Sequence, residues 1–269
     1  MSKKILITGH QGWIGNNLVK LLDQNGIEWI GIDKKSGSDL SLDMSPIWSR
    51  IDDFETIVHL AATPRIPASW LLADHYRINN VGVTDKLANL CAAKNKYLIF
   101  ASSSSVYGNG DGPLNPYSWT KLAGEQSIEM YGRSQRLNYT ILRLFTNYGE
   151  DDPSGLVIGK WIDHERRRES ITLRGTGEQS RDFIHVSDTA QAILTTILAR
   201  PYGKKLDIGT GNSHKLIDLT QHFTVSTIVE SELDGYATAT QANITETQKY
   251  IPWQAKIELV TWLKSQLMK

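Results

Sequence analysis

Apolar runs that are continuous rather than alternating, each followed by a helical pattern, constrain this chain more than any other feature. Lys4-Ile5-Leu6-Ile7, Trp29-Ile30-Gly31-Ile32, Thr56-Ile57-Val58-His59-Leu60, Tyr97-Leu98-Ile99-Phe100-Ala101 and Tyr139-Thr140-Ile141-Leu142 read as strands buried on both faces. Between them, Leu18, Leu21 and Leu22 recur at helical spacing before Asn25-Gly26, and residues 74–94 and 118–132 carry further helical patterns. Strands of this kind separated by helices predict an α/β fold with a parallel, doubly wound sheet of the nucleotide-binding Rossmann type. Regularity fades after Gly149, where turns such as Arg174-Gly175-Thr176-Gly177 interrupt shorter segments. A helix over residues 186–200, a strand over 205–208 and an amphipathic helix over 257–267 are still expected. The boundaries predicted are a dinucleotide-binding domain at 1–149, to which about 186–210 return, and a smaller substrate-binding lobe formed mainly by 150–269. That lobe would lie over the carboxyl edge of the sheet, where open α/β sheets hold ligands.

Composition removes several other readings. Of 269 residues, 40% are hydrophobic, enough for a substantial core. Lys and Arg number 29 against 29 Asp and Glu, so there is no global basic field to attract nucleic acid. The single cysteine, Cys91, excludes an intramolecular disulfide and a Cys-rich zinc site, and it reads as a packed core residue. Seven histidines lack metal-ligand spacing, so no metal is expected, and His59 and His185 read as structural hydrogen-bonding residues. Arg166-Arg167-Arg168 reads as a solvated helix face. Only three apolar residues follow Met1-Ser2-Lys3-Lys4, and no run nears the ~20 apolar residues that cross a bilayer. A cytoplasmic protein without membrane contact is expected.

Thr8-Gly9-His10-Gln11-Gly12-Trp13-Ile14-Gly15 joins the first strand to the first helix. Glycines there allow a tight turn and a close approach of backbone to a pyrophosphate, with the positive helix end behind it. Asp33 closes the second strand, where a carboxylate accepts hydrogen bonds from both hydroxyls of an adenosine ribose and repels a 2′-phosphate. NAD is therefore expected, with NADP the alternative, since Lys34 and Lys35 offset part of that repulsion.

Tyr117 and Lys121 lie four residues apart at the start of a helix and so share one face. An ammonium beside a phenol lowers its pKa and prepares it to take a proton from a sugar hydroxyl. Ser102-Ser103-Ser104-Ser105 follows the fourth strand at the same sheet edge and offers a hydroxyl to the same centre. Trp119, inside the Tyr–Lys pair, is expected to shape the pocket.

These motifs, in this order, resemble extended short-chain dehydrogenases/reductases, specifically the NAD-dependent nucleotide-sugar epimerase/dehydratase family. His59-Leu60-Ala61-Ala62, Asn79-Asn80-Val81, Ser105-Val106-Tyr107-Gly108, Asn115-Pro116-Tyr117, Leu142-Arg143-Leu144-Phe145-Thr146-Asn147-Tyr148-Gly149 and the stretch from Gly175 to Val186 strengthen it. The resemblance implies that Gly9, Gly12 and Gly15 hold the pyrophosphate with the amides of Trp13 and Ile14. It implies that Asp33 binds the adenosine ribose, that Asp39 and Leu40 flank the adenine, and that Leu60, Ala61, Ala62 and Asn80 line the nicotinamide half. It makes Ser103 the catalytic hydroxyl, Tyr117 the base and Lys121 its modulator. Ser104, Asn147 and Arg181 would contact the substrate, a nucleotide-diphosphate sugar, and two copies would pair through the helices around 81–93 and 118–132 into a homodimer.

The chain departs from that pattern twice. The dehydratases resembling it place a carboxyl pair, or at least a glutamate, directly after the catalytic hydroxyl; here Ser104 and Ser105 stand there, and a hydroxyl cannot replace a carboxyl acid/base. The region after Gly211 is short, and no arginine stands around Asp234-Gly235-Tyr236 to close over the diphosphate. The expected activity is therefore NAD-dependent epimerisation, at C4 through a transient 4-keto sugar. The alternatives are an NAD(P)H-dependent reductase of a 4-keto nucleotide sugar and a non-catalytic dinucleotide-binding regulator.

Overall fold

In a computed structural model that describes residues 4–37, 44–152, 155–232 and 234–268, the apolar runs lie side by side. The strands are β1 (Lys4–Thr8), β2 (Trp29–Ile32), β3 (Phe54–His59), β4 (Tyr97–Ser103), β5 (Asn138–Leu144), β6 (Thr146–Tyr148), β7 (Ile171–Arg174), β8 (Ser180–His185), β9 (Lys204–Ile208), β10 (Ser213–Lys215) and β11 (Thr227–Glu230). Six of them form one wholly parallel sheet in the order β2-β1-β3-β4-β5-β9. The chain winds outward from β1 through the helix Trp13–Gln24 to β2, then returns past β1 to β3. Winding therefore reverses between β1 and β3, and their carboxyl ends open a crevice.

Successive side chains of β1 explain why the strands are apolar throughout. Ile5 and Ile7 enter a core with Leu18, Leu22 and, from the helix Val186–Ala199, Ala190 and Ile193. Leu6 enters the opposite core with Leu87 and Leu90 of the helix Val83–Ala93 and Ile128 of the helix Pro116–Gln135. Each such side chain, fully withdrawn from water, contributes roughly 1.5–3 kcal/mol. Cys91 is packed in this second core.

A second region packs around Trp161, Phe183, Tyr148, Leu219 and Leu263. Its strands form the sheet β10-β8-β6 and the parallel pair β11-β7. The chain then re-enters the main sheet as β9. Glu150 joins the two regions: its carbonyl accepts from the Trp13 indole at 2.8 Å, and its carboxylate accepts from the Trp262 indole at 2.8 Å and lies 3.1 Å from His185 Nε2.

The expected continuous helix over 74–94 is interrupted. Ala73–Tyr76 and Val83–Ala93 are separated by a widened turn at Arg77–Gly82. Within that turn the Asn80 carbonyl accepts the Thr84 hydroxyl, while its side chain reaches away to Thr63. No helix among the described residues is long and apolar enough to cross a membrane.

Candidate active site

The crevice between β1 and β3 is built on glycine. Gly9 has φ +77, and a Cβ there would lie 2.7 Å from the Ala61 nitrogen, so no larger residue fits where the two strand ends pass. At Gly15 a Cβ would lie 2.3 Å from the Gly9 carbonyl oxygen, which sets the helix close against the turn. Gly12 caps the helix Trp13–Gln24 without any side-chain bond. The leading amides of that helix, those of Trp13 and Ile14, thus have no capping side chain and face an anion-favouring end. Asp33 is buried beside them, its two oxygens accepting from the Gln11 and Lys35 amides at 2.9 Å each. Asp39 and Leu40 lie outside the described residues.

Beyond β3, Leu60, Ala61 and Ala62 are half-buried at the crevice. Leu60 N donates to the Thr8 carbonyl at 3.0 Å and Ala61 N to the Thr8 hydroxyl at 3.3 Å. Behind them His59 bridges the hydroxyls of Thr8 (2.7 Å) and Thr84 (3.0 Å). Burial, and the nearby Lys121 charge, hold its imidazole down at about 3, so it is neutral. Asn80 differs from expectation. Its amide oxygen accepts from Thr63 N at 2.7 Å, and its nitrogen donates to the Thr63 carbonyl and the Thr120 hydroxyl. Both ends of the amide are thus committed to the scaffold, and Asn80 sets the 60–63 loop rather than facing the crevice.

The second half of the site rests on the start of the helix Pro116–Gln135. Asn115 caps it, accepting from Ser118 N at 2.8 Å, and Pro116 fits the first turn. Tyr117 and Lys121 follow one turn apart. Ser103, at the carboxyl end of β4, lies beside the Tyr117 phenol and accepts from Ser105 N and Oγ. The structure therefore brings Ser103, Tyr117 and Lys121 to one sheet edge, the edge of the glycine turn.

Their electrostatics differ from the expectation that the ammonium lowers the phenol. Burial pushes Tyr117 up to about 12, against the pull of Ser103 and with Tyr76 adding to the rise. Tyr76 is fully buried edge-on to the Tyr117 ring, 6.4 Å between centroids. Lys121 is turned elsewhere: Nζ donates to the Ala101 carbonyl at 2.7 Å and sits 4.9 Å above the Phe100 ring. Burial lowers its pKa to about 8, with Glu125 opposing.

No carboxylate replaces the hydroxyls of Ser104 and Ser105. Glu125, fully buried nearby, accepts from Ser102 Oγ at 2.5 Å and from Arg143 Nε and an Arg143 terminal nitrogen at 3.0 and 2.6 Å. Asn147 is buried in β6, donating to the Phe145 carbonyl and accepting from Thr189. Arg181, half-buried in β8, donates to the carbonyls of Ser180 and Thr238. Trp119 is 48% exposed, with Arg77 against its ring. Sequence reasoning missed Tyr76 and Thr63, which reach the site only through tertiary packing. Asn115 entered the sequence reading only through the segment Asn115-Pro116-Tyr117, and its capping role comes from the structure.

The family described as "NAD dependent epimerase/dehydratase family" matches residues 5–209. A protein of Bacillus subtilis named as an uncharacterised UDP-glucose epimerase, YtcB, is 32% identical over 242 residues, 77% of this chain and 76% of that one. A putative UDP-glucose 4-epimerase of Methanocaldococcus jannaschii is 28% identical, covering 97% of this chain and 98% of its own. Among solved structures, MoeE5 in complex with UDP-glucuronic acid and NAD superimposes with a TM-score of 0.89 over 98% of each chain at 29% identity.

Proposed function

The chain belongs to the NAD-dependent epimerase/dehydratase family, and from that premise we propose that it inverts C4 of a nucleotide-diphosphate sugar through a transient 4-keto sugar. The observation that carries this reading is the gathering of Ser103, Tyr117 and Lys121 at one sheet edge beside the glycine turn, with no carboxylate at 104 or 105. The crevice fits a dinucleotide: its glycines leave no room for a Cβ, the helix N-terminus has no capping side chain, and a buried carboxylate stands at the ribose position. Gly9, Gly12, Gly15 and the Trp13 and Ile14 amides would hold the pyrophosphate, Asp33 the adenosine ribose, and Leu60, Ala61 and Ala62 the nicotinamide half.

NAD, when bound, supplies a hydride acceptor that is regenerated within each turnover, so no external reductant is consumed. Tyr117 removes the proton of the sugar 4-hydroxyl while Ser103, beside the phenol, holds that oxygen in line. A free phenol near 12 is a weak base at neutral pH. Positive charge brought beside it favours the phenolate, and Lys121 supplies such a charge once it leaves the Ala101 carbonyl. The keto sugar then presents its other face, and Tyr117 returns the proton. Ser104 and Ser105 offer no acid for water elimination, and the buried Glu125 is held by Arg143, which favours epimerisation over dehydration.

Asn147 and Arg181 would contact the sugar nucleotide from the second region. Trp119 and Met130, exposed on the helix expected to pair over 118–132, would lie in a dimer interface.

The test is incubation of the purified protein with UDP-glucose, UDP-N-acetylglucosamine and UDP-glucuronic acid without added cofactor. Interconversion with the C4 epimer of at least one is expected, together with co-purifying NAD. Tyr117→Phe should reduce kcat about 10²- to 10⁴-fold and leave NAD bound. Full activity in that variant, or no interconversion of any sugar, would refute the reading.

A further inference from the structure

Tyr117, Lys121 and Glu125 follow one another at successive turns of their helix and so stand in a row on one face. That row meets the last three residues of β4. Tyr117 lies beside Ser103, Lys121 Nζ donates to the Ala101 carbonyl at 2.7 Å, and Glu125 Oε1 accepts from Ser102 Oγ at 2.5 Å. We propose that Glu125 is a positioning residue for the reaction: through Ser102 it anchors the strand end that carries Ser103, and its charge balances the Lys121 ammonium where water does not reach. The inference rests on the epimerase reading above and gives Glu125 a part in it.

The ammonium needs such a balance. Lys121 is 4% exposed and forms no ion pair among the described residues; a carbonyl and the Phe100 ring are its near neighbours. A buried cation in that state depends on charge standing further off. From β3 it faces His59, which is neutral, and on its own helix Tyr117 and Glu125. Burial lowers the Lys121 pKa, and Glu125 is the group that opposes the fall. Arg143, on β5 behind Glu125, does not cancel that charge entirely. Its guanidinium carbon lies 4.5 Å from the Tyr107 ring, whose hydroxyl donates to Asp207 at 2.8 Å, and Asp207 stands opposite Arg143 in the β5–β9 register. One cation is thus shared between two carboxylates. The anchor follows from strand geometry: side chains alternate along β4, so holding buried Ser102 from one face sets the direction of Ser103 on the other.

Glu125→Gln removes the charge and keeps an oxygen for Ser102, whereas Ser102→Ala removes the anchor and keeps the charge. For the NAD-loaded proteins, kcat and KM are measured across pH with UDP-glucose, UDP-N-acetylglucosamine and UDP-glucuronic acid. Tyrosinate absorbance is titrated beside them, less that of the matching Tyr117→Phe protein, and thermal unfolding is the control for folding. Without the carboxylate the ammonium gives up its proton at lower pH. In Glu125→Gln the alkaline limb of kcat/KM should therefore move down by about one pH unit, and the Tyr117 phenolate should form at higher pH. Should that variant unfold, Glu125→Gln/Arg143→Met, which strands no guanidinium, is expected to show the same shifts. Ser102→Ala should lower kcat about 10-fold with KM and the alkaline limb in place. A limb and a phenolate unmoved in the Glu125 variants, or wild-type kcat in Ser102→Ala, overturns the proposal and leaves the epimerase reading intact. A wild-type protein that converts none of the three sugars overturns the epimerase reading, and the phenolate titration then still decides whether Glu125 balances Lys121.

Discussion

Replacing Glu125 by leucine would strand the Arg143 guanidinium. Glu125 is fully buried and accepts two hydrogen bonds from Arg143, at 3.0 and 2.6 Å, beside one from Ser102 Oγ, and the Arg143 side chain is only 14% exposed. Removing one partner of a buried pair costs about 3–5 kcal/mol, because the remaining charge is desolvated without compensation. In a chain of this size that corresponds to a fall in Tm of roughly 6–20 °C. Packing does not rescue the variant: the Tyr107 ring under Arg143, 4.5 Å from its guanidinium carbon, cannot accept two in-plane bonds. The double variant Glu125→Leu/Arg143→Met replaces both charges by apolar groups and should recover most of the loss, since such replacements are often near neutral. Urea unfolding followed by tryptophan fluorescence gives all four corners of the cycle. The reasoning is refuted if Glu125→Leu stays within about 1 kcal/mol of wild type, or if the double variant loses the sum of the two single ones.

Gly9→Ala should abolish NAD retention and destabilise by about 2 kcal/mol or more, from positive φ and the Ala61 contact together, whereas Gly37→Ala, at φ +90 with nothing within 4 Å, should lose only about 1–2 kcal/mol and keep NAD; equal NAD retention in both would contradict this. His59, held at about 3 against an unfolded value of 6.5, binds no proton in the fold where the unfolded chain does. Stability is therefore complete above pH 6.5 and falls on acidification by about 1.4 kcal/mol per pH unit until about pH 3. His59→Gln should remove one proton from the slope of unfolding free energy against pH, and an unchanged slope would count against the assignment. Asp33→Ser should weaken NAD about 10-fold or more while narrowing its advantage over NADP, read as the two dissociation constants; a constant ratio would show that Asp33 does not discriminate between them.

The main sheet was legible because β1, β3, β4 and β5 are buried on both faces, and mostly apolar side chains stand there, the buried polar ones such as Thr8 and His59 being hydrogen-bonded. The second region was not, for equally physical reasons. β8 begins Ser180-Arg181-Asp182 and has only Phe183-Ile184 as an apolar run, β10 has three residues, and β11 exposes Ile228 at 53% and Val229 at 66%, so the core-facing signal there is short or missing. Tyr117 and Lys121 were paired by spacing, which fixes direction along a helix, and Ser103 was picked from its serine run by the family resemblance. The acidity of the phenol could not be read that way, since it depends on Tyr76 closing over it from 41 positions earlier in the chain and on a carbonyl at Ala101 that draws the ammonium aside. Asn80 was placed near the crevice by its motif, but which way its amide turns is decided by Thr63 and Thr120.

Glu150 gives the two ends of the polypeptide a common fastening. Its carbonyl holds an indole 137 positions upstream in the glycine turn, and its carboxylate holds another 112 positions downstream. During biosynthesis the parallel sheet has most of its strands long before Trp262 leaves the ribosome, but the brace across the dinucleotide turn is finished only then. The residue that steadies the dinucleotide turn is thus itself steadied from the second region.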